Sequence, residues 1–381
     1  MKIIYTTLFL LFAFNYSFCQ TESEKYLEEI KNESSLKNEK LEQEITSLKD
    51  QIEKIDKDIL NAQTDKEELD ALKERVKILE KIEKNNLAKK SSILSENYSS
   101  AIINLISLEK DIQPVNLYNT ATSFHRDLEK ISNPTNYGDF SNWLSEYEKF
   151  LNKTKTSDVL IDMASKLINT TGFLSNKTLN LGPASEIIFS SIEKFIQSLG
   201  TSSSKKKLRE QSAQMFELLI VLKNFESEKW ILDEKFNDLA EELKQLEKIQ
   251  KSVLIDVIET SGLKKPLMQK HYFEESDPSE IHSYLGRLKS HLNDKINKFN
   301  KKEIYHQMNI CQSLKIRFGD ILEDMAKNLK EYDELIKKYK TNKILNLTGL
   351  ESKYNTLENQ FKNYYNGEKI KLAALKMYRY E

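Results

Sequence analysis

The sequence predicts an all-α chain: an elongated, antiparallel helical bundle or coiled coil with a central amphipathic helical hairpin. Three observations predict it. Apolar residues recur every three or four positions over long stretches, and no stretch alternates with period two between turn signals. Glycine and proline are scarce, 9 and 5 in 381 residues, so turns are few and elements long. Charged residues make up 31% of the chain, yet only seven of the 48 residues from Ser157 to Ser204 are ionisable.

Residues 1–19 read as a signal peptide. Lys2 is the basic start, Ile3–Phe14 the apolar core, and Ser17-Phe18-Cys19 a small-x-small cleavage site before Gln20. Cys19 admits a lipoprotein alternative, which Phe18 and Tyr16 disfavour at positions where small residues and Leu are usual. The apolar core is too short to span a bilayer of about 30 Å. After cleavage Cys311 is the sole cysteine, so no internal disulfide is available.

The N-terminal arm, 20–131, carries a heptad seam: Leu41, Ile45, Leu48, Ile52, Ile55, Ile59 and Ala62. A second run, Leu72, Val76 and Leu79, is offset by three from Leu69, the signature of a stammer. The seam weakens at Asn85-Asn86, which predicts a kink or turn between Asn85 and Ser92. It resumes through Ile102, Leu105 and Leu108, and Pro114 is expected to end it. Leu117, Ala121, Phe124, Leu128 and Ile131 form a further helix.

The central region, 132–204, opens with a loop at Ser132–Ser141. Phe140, Trp143, Leu144, Tyr147 and Leu151 then make a short aromatic helix. Val159, Leu160, Met163, Leu167 and Ile168 share one helical face. Ile188, Ile192, Phe195 and Leu199 share another, and Gly200 closes the pair into the hairpin.

The C-terminal arm, 205–381, starts at Lys205-Lys206-Lys207. Its seam runs through Leu208, Met215, Leu219, Leu222, Leu232, Phe236, Leu239, Leu243 and Leu246, and ends near Gly262. Asp277-Pro278-Ser279-Glu280 caps a helix bearing Ile281, Leu285, Leu288 and Leu292. The longest pattern is Ile304, Met308, Cys311, Lys315, Phe318, Leu322, Met325, Leu329, Tyr332, Ile336 and Tyr339, broken only by Lys315. Thr348-Gly349-Leu350-Glu351 reads as a capping box that opens a final helix with Tyr354, Leu357 and Phe361.

Catalytic chemistry finds no footing. The five histidines lack metal-ligand spacing, the glycines form no phosphate-cradling loop, and Gly-x-Ser-x-Gly is absent. No cofactor, metal or catalytic residue is expected. A formal charge of −1 leaves no footprint for nucleic acid. The reading is therefore a non-enzymatic, exported scaffold, periplasmic or secreted, acting through coiled-coil surfaces on itself or a protein partner. A second reading is membrane activity. In layout the chain resembles secreted α-helical pore-forming toxins, which carry an apolar head mid-chain. The resemblance implies that 157–204 leaves the bundle for lipid, with contacts from Ile188, Ile192, Phe195, Leu199, Lys205, Lys206 and Lys207. The seven charges in that stretch depart from the toxin pattern. For the first residues the expected outcome is direct: the N-terminal sequence of the exported chain, read by mass spectrometry, begins at Gln20.

Overall fold

The computed structural model describes residues 2–121, 127–128, 130–131, 134–138, 140–153, 181–261, 291–292, 295–341, 344–345, 347 and 349–378, with side chains from residue 24 onward over most of them. Among the described residues there are eight α-helices and no strand. They are α1 (Lys2–Asn61), α2 (Asp65–Ala121), α3 (Phe140–Lys153), α4 (Leu181–Ser198), α5 (Lys206–Thr260), α6 (Lys301–Lys340), α7 (Leu350–Tyr364) and α8 (Gly367–Leu375). They form two compact units, each discontinuous in sequence. The first holds Met1–Asn116, Leu243–Asp320 and Gly367–Glu381, the second Leu117–Glu242 and Ile321–Asn366. Helices α5 and α6 each contribute to both units.

In the first unit α1 and α2 form an antiparallel hairpin. Ser34 meets Ser92, Glu42 meets Lys89, Glu44 meets Asn85 and Asp56 meets Arg75, so one number rises as the other falls. The chain reverses at Ala62–Thr64, and the reversal is capped. Thr64 Oγ1 accepts from the Glu67 amide at 3.3 Å, while Glu67 Oε2 accepts from the Gln63 and Thr64 amides. This reciprocal pair satisfies donors that the first turn leaves orphaned, and such a cap contributes about 1 kcal/mol.

The hairpin corrects three expectations. The seam offset near Leu69 lies just after a chain reversal and marks no supercoil stammer. No break occurs between Asn85 and Ser92, since α2 runs unbroken from Asp65 to Ala121. Pro114 lies within α2 and does not end it. Proline removes one backbone bond from a helix, and the packing of the preceding turns offsets that loss. Tyr98, Ile102, Leu105 and Ile112 are fully buried there.

Around those turns α2 is covered on every face. Gln250 of α5 donates to the Leu105 carbonyl at 2.7 Å, Tyr98 donates to Gln307 of α6 at 2.6 Å, and the Cys311 thiol donates to the Ala101 carbonyl at 3.1 Å. Such bonds are what a buried polar group requires. Burial pushes the Cys311 thiol up to about 12. Lys315, the one polar residue in its seam, donates to Asn104 Oδ1, and burial lowers its pKa. The rest of the α6 seam, from Ile304 to Tyr339, is buried as expected.

The C-terminal segment docks on α6 where α6 has no side chain. A methyl group on Gly319 would lie 2.8 Å from the Gly367 carbonyl oxygen and 2.5 Å from Lys371 Cγ. Gln312 and Tyr378 then pin the segment, bonding the Ala374 and Met308 carbonyls at 2.9 and 2.7 Å. So α7 is not the final helix. Nor does it open on a capping box: Gly349 occupies the cap at φ +83° without a side-chain bond, and Glu351 pairs with Lys340 instead.

In the second unit α3 contains the five residues predicted to face inward, all buried. Its core continues into Ile192, Phe195 and Leu199 of α4 and Leu219 of α5. The first helix of the expected hairpin, near 158–169, and the capped helix from Asp277 lie outside the described residues. Gly319→Ala tests the close approach of α6 and α8. It is expected to lower stability by about 1–3 kcal/mol, the usual cost of overpacking, and to speed proteolytic clipping within 367–378, read by urea titration and mass spectrometry.

Candidate functional site

The residues predicted to contact a membrane or partner fall into two sets. Ile192, Phe195 and Leu199 are core. Tyr147 and Phe195 rings lie 5.5 Å apart, Phe150 and Phe195 5.1 Å, and Tyr147 shares a hydrogen bond with Ser191. Burial raises the Tyr147 phenol pKa. The Trp143 indole donates to Ser212 of α5 at 3.0 Å, which ties the cluster together. The amphipathic stripe of α4 has thus found its cover within the chain. Ile188 lies in α4, but its side chain is outside the described residues. Lys205, just before α5, and Lys206 and Lys207 in its first turn are exposed, although Leu208 beside them packs against that core, and Lys206 pairs only loosely with Glu210 at 4.0 Å.

A buried ionic cluster in the second unit was not anticipated. Lys229 is 4% exposed, with Asp233 at 2.8 Å and Glu226 at 3.7 Å. Tyr332 of α6 donates to the other Asp233 oxygen, and Asn328 donates to the Leu232 carbonyl. Burial, and then the Asp233 carboxylate, hold the Tyr332 phenol well above its ordinary pKa, so it stays a donor. The cluster fixes how α5 and α6 align, since a one-turn slip would strand a buried charge. Its signal was present: Glu226 and Lys229 continue the Leu222 seam by four and three, where the apolar pattern has a gap before Leu232. No group of three or more His, Cys, Asp or Glu side chains among the described residues could hold a metal. None of their helices is long and apolar enough to cross a membrane.

The surface that remains unexplained lies on the hairpin. The α2 residues turned toward α1 are Ala71, Arg75, Ile78, Ile82, Asn85, Lys89 and Ser92, spaced by four and three. The more apolar set read as the seam faces outward. Leu69 is 52% exposed, Leu72 42%, Val76 54% and Leu79 41%. Leu87 is also exposed, as is Leu60 on the last turn of α1. The inner face tolerates polar residues because α1 answers them: Arg75 meets Asp56 at 2.7 Å and Lys89 meets Glu42 at 2.6 Å. The bond to Lys89 also lowers the Glu42 carboxyl pKa.

The outward stripe continues a core face. Leu69, Leu87 and Leu105 are eighteen residues apart, five full turns, and so point the same way. Val76, Leu94 and Ile112 do likewise. Leu94, Leu105 and Ile112 are buried, Leu105 beneath α5, whereas Leu69, Val76 and Leu87 are uncovered. Compared with protein-family models, with curated proteins and with solved structures, the chain matches none of them.

The two faces of α2 separate cleanly by mutation. Ile78→Asp buries a charge beside α1 and is expected to weaken the hairpin by on the order of 3 kcal/mol. It should raise deuterium uptake in peptides covering 40–62 and 71–89. Val76→Asp, on the open face, leaves that uptake unchanged.

Proposed function

We propose that this chain is an exported, non-enzymatic helical interaction protein that receives a helix on the outward stripe of α2. One observation carries the reading: four apolar side chains at heptad spacing stand in solvent on a face that is core further along the same helix. Contiguous apolar surface of this kind marks interaction sites on soluble proteins. Heptad spacing selects a helical occupant, because only a helix presents matching side chains every three and four residues. Such a pairing is a coiled coil, with Lys66, Lys73 and Glu80 along its edge. The signal-like pattern of residues 1–19 supports a contact made in the periplasm or outside the cell.

Burial of Ile192, Phe195 and Leu199 favours this reading over lipid entry by the central region. Lipid entry would first require pulling Phe195 out of a ring cluster and breaking the Tyr147–Ser191 bond. The hairpin stripe needs no such rearrangement.

A photo-reactive amino acid placed at Leu72 tests the proposal in cells that export the chain. An adduct is expected from position 72 and none from Lys81, an exposed residue off the stripe. Adding Val76→Asp should abolish the adduct. Equal labelling from 72 and 81, or none from either, would count against the reading.

A further inference from the structure

We infer that the helix received by the outward stripe is α2 of a second copy, laid antiparallel across it about a two-fold axis near Glu74. The inference rests on the interaction reading above and names its partner. It starts from where the stripe lies. From Tyr98 onward the same face is met by the chain's own α5 and α6, but from Leu69 to Leu79 it is open. A second α2 running parallel would carry its own covering helices into those of the first copy within a few turns. Antiparallel overlap avoids the collision, because each copy's covered segment then lies beyond the other's Ala62–Thr64 turn.

An axis at residue 74 sets Leu69 against the partner's Leu79 and Leu72 against the partner's Val76, so all four layers are apolar. The edge charges agree with this register. Lys66 faces the partner's Glu80, and symmetry makes that pair twice. Lys73 meets its own symmetry mate on the axis, but each ammonium already lies 3.2 Å from Asp70. An isologous contact of this kind closes at two copies and does not propagate into a filament. With four side chains from each copy the interface is small and of the transient class, so assembly is expected at on the order of micromolar protein.

The test uses the full chain carrying Cys19→Ser, in which the remaining thiol, Cys311, is buried and unreactive. Sedimentation equilibrium is expected to show a reversible dimer, and Val76→Asp to weaken it by on the order of a hundredfold with an unchanged circular dichroism spectrum. Mixing Lys66→Cys and Glu80→Cys proteins under mild oxidation should give the mixed disulfide in preference to either homodimer. In the proposed register like positions lie about 20 Å apart, at 1.5 Å per residue, far beyond disulfide reach. A monomer at every concentration overturns the inference, as does preferential formation of homodimers. If the chain is monomeric while the Leu72 adduct still forms and still depends on Val76, the self-pairing fails and the wider interaction reading stands. Loss of both sinks the two together.

Discussion

Most of a helix's stability in a protein comes from packing its apolar face, and covering the faces of helices this long is the constraint on which this molecule depends. Helix α2 shows the constraint most clearly. Over Tyr98 to Ile112 it is enclosed by α5, α6 and the rest of the first unit, and nearly every side chain there is buried. Over Asp65 to Lys90 the neighbour it meets among the described residues is α1. One face is then satisfied by the hairpin and another is left to water. The change is one of neighbours and not of sequence character, since leucine occupies the same direction at 69, 87 and 105.

What could be read from the sequence divides along the same line. Helix α6 was legible along its seam because its apolar residues share one broad face: Leu314, Ile321 and Leu335 are buried beside the Ile304–Tyr339 row and widen it without competing with it. The α3 helix was legible for the same reason, with five large side chains on one face and charges on the other. Helix α2 was misread because it carries two registers. Hydrophobicity favours Leu69, Leu72, Val76 and Leu79, but α1 takes the face with Ala71, Arg75 and Ile78. A small alanine lets the helices approach, and Arg75 and Lys89 are matched by carboxylates that a single-helix pattern cannot see. The reversal itself was written in the chain as Thr64-Asp65-Lys66-Glu67, a capping box overlooked because neither glycine nor proline marks the turn.

The α4 stripe and the buried ionic cluster teach the complementary lesson. Periodicity identified Ile192, Phe195 and Leu199 as one face but could not say what lies on it; the answer depends on Trp143, Tyr147 and Leu219, distant in sequence. The ionic cluster hid because Glu226 and Lys229 look like ordinary surface charges. They occupy seam positions, and a charge at such a position is tolerated only where partners converge on it. Asp233 and Tyr332 are those partners, and only packing of α5 on α6 brings Tyr332 within reach.

The inversion on the hairpin is the feature from which the proposed interaction is argued. Had stability alone shaped α2, the leucine-rich face would be the one turned to α1, because burying each leucine contributes about 1.5–3 kcal/mol. Instead the hairpin closes over a face of mixed polarity and keeps the oilier one in solvent. Polar contacts across α1 and α2 fix their alignment, since a slip of one turn would part Arg75 from Asp56 and Lys89 from Glu42. The aligned hairpin then presents Leu69, Leu72, Val76 and Leu79 as a preformed row. A preformed row loses little conformational freedom when a second helix arrives, and so binds better than a flexible one. The division of labour is therefore physical: polar pairs help set the geometry of the hairpin, and the apolar side chains they leave over stand in solvent, which is the feature the proposed pairing would use.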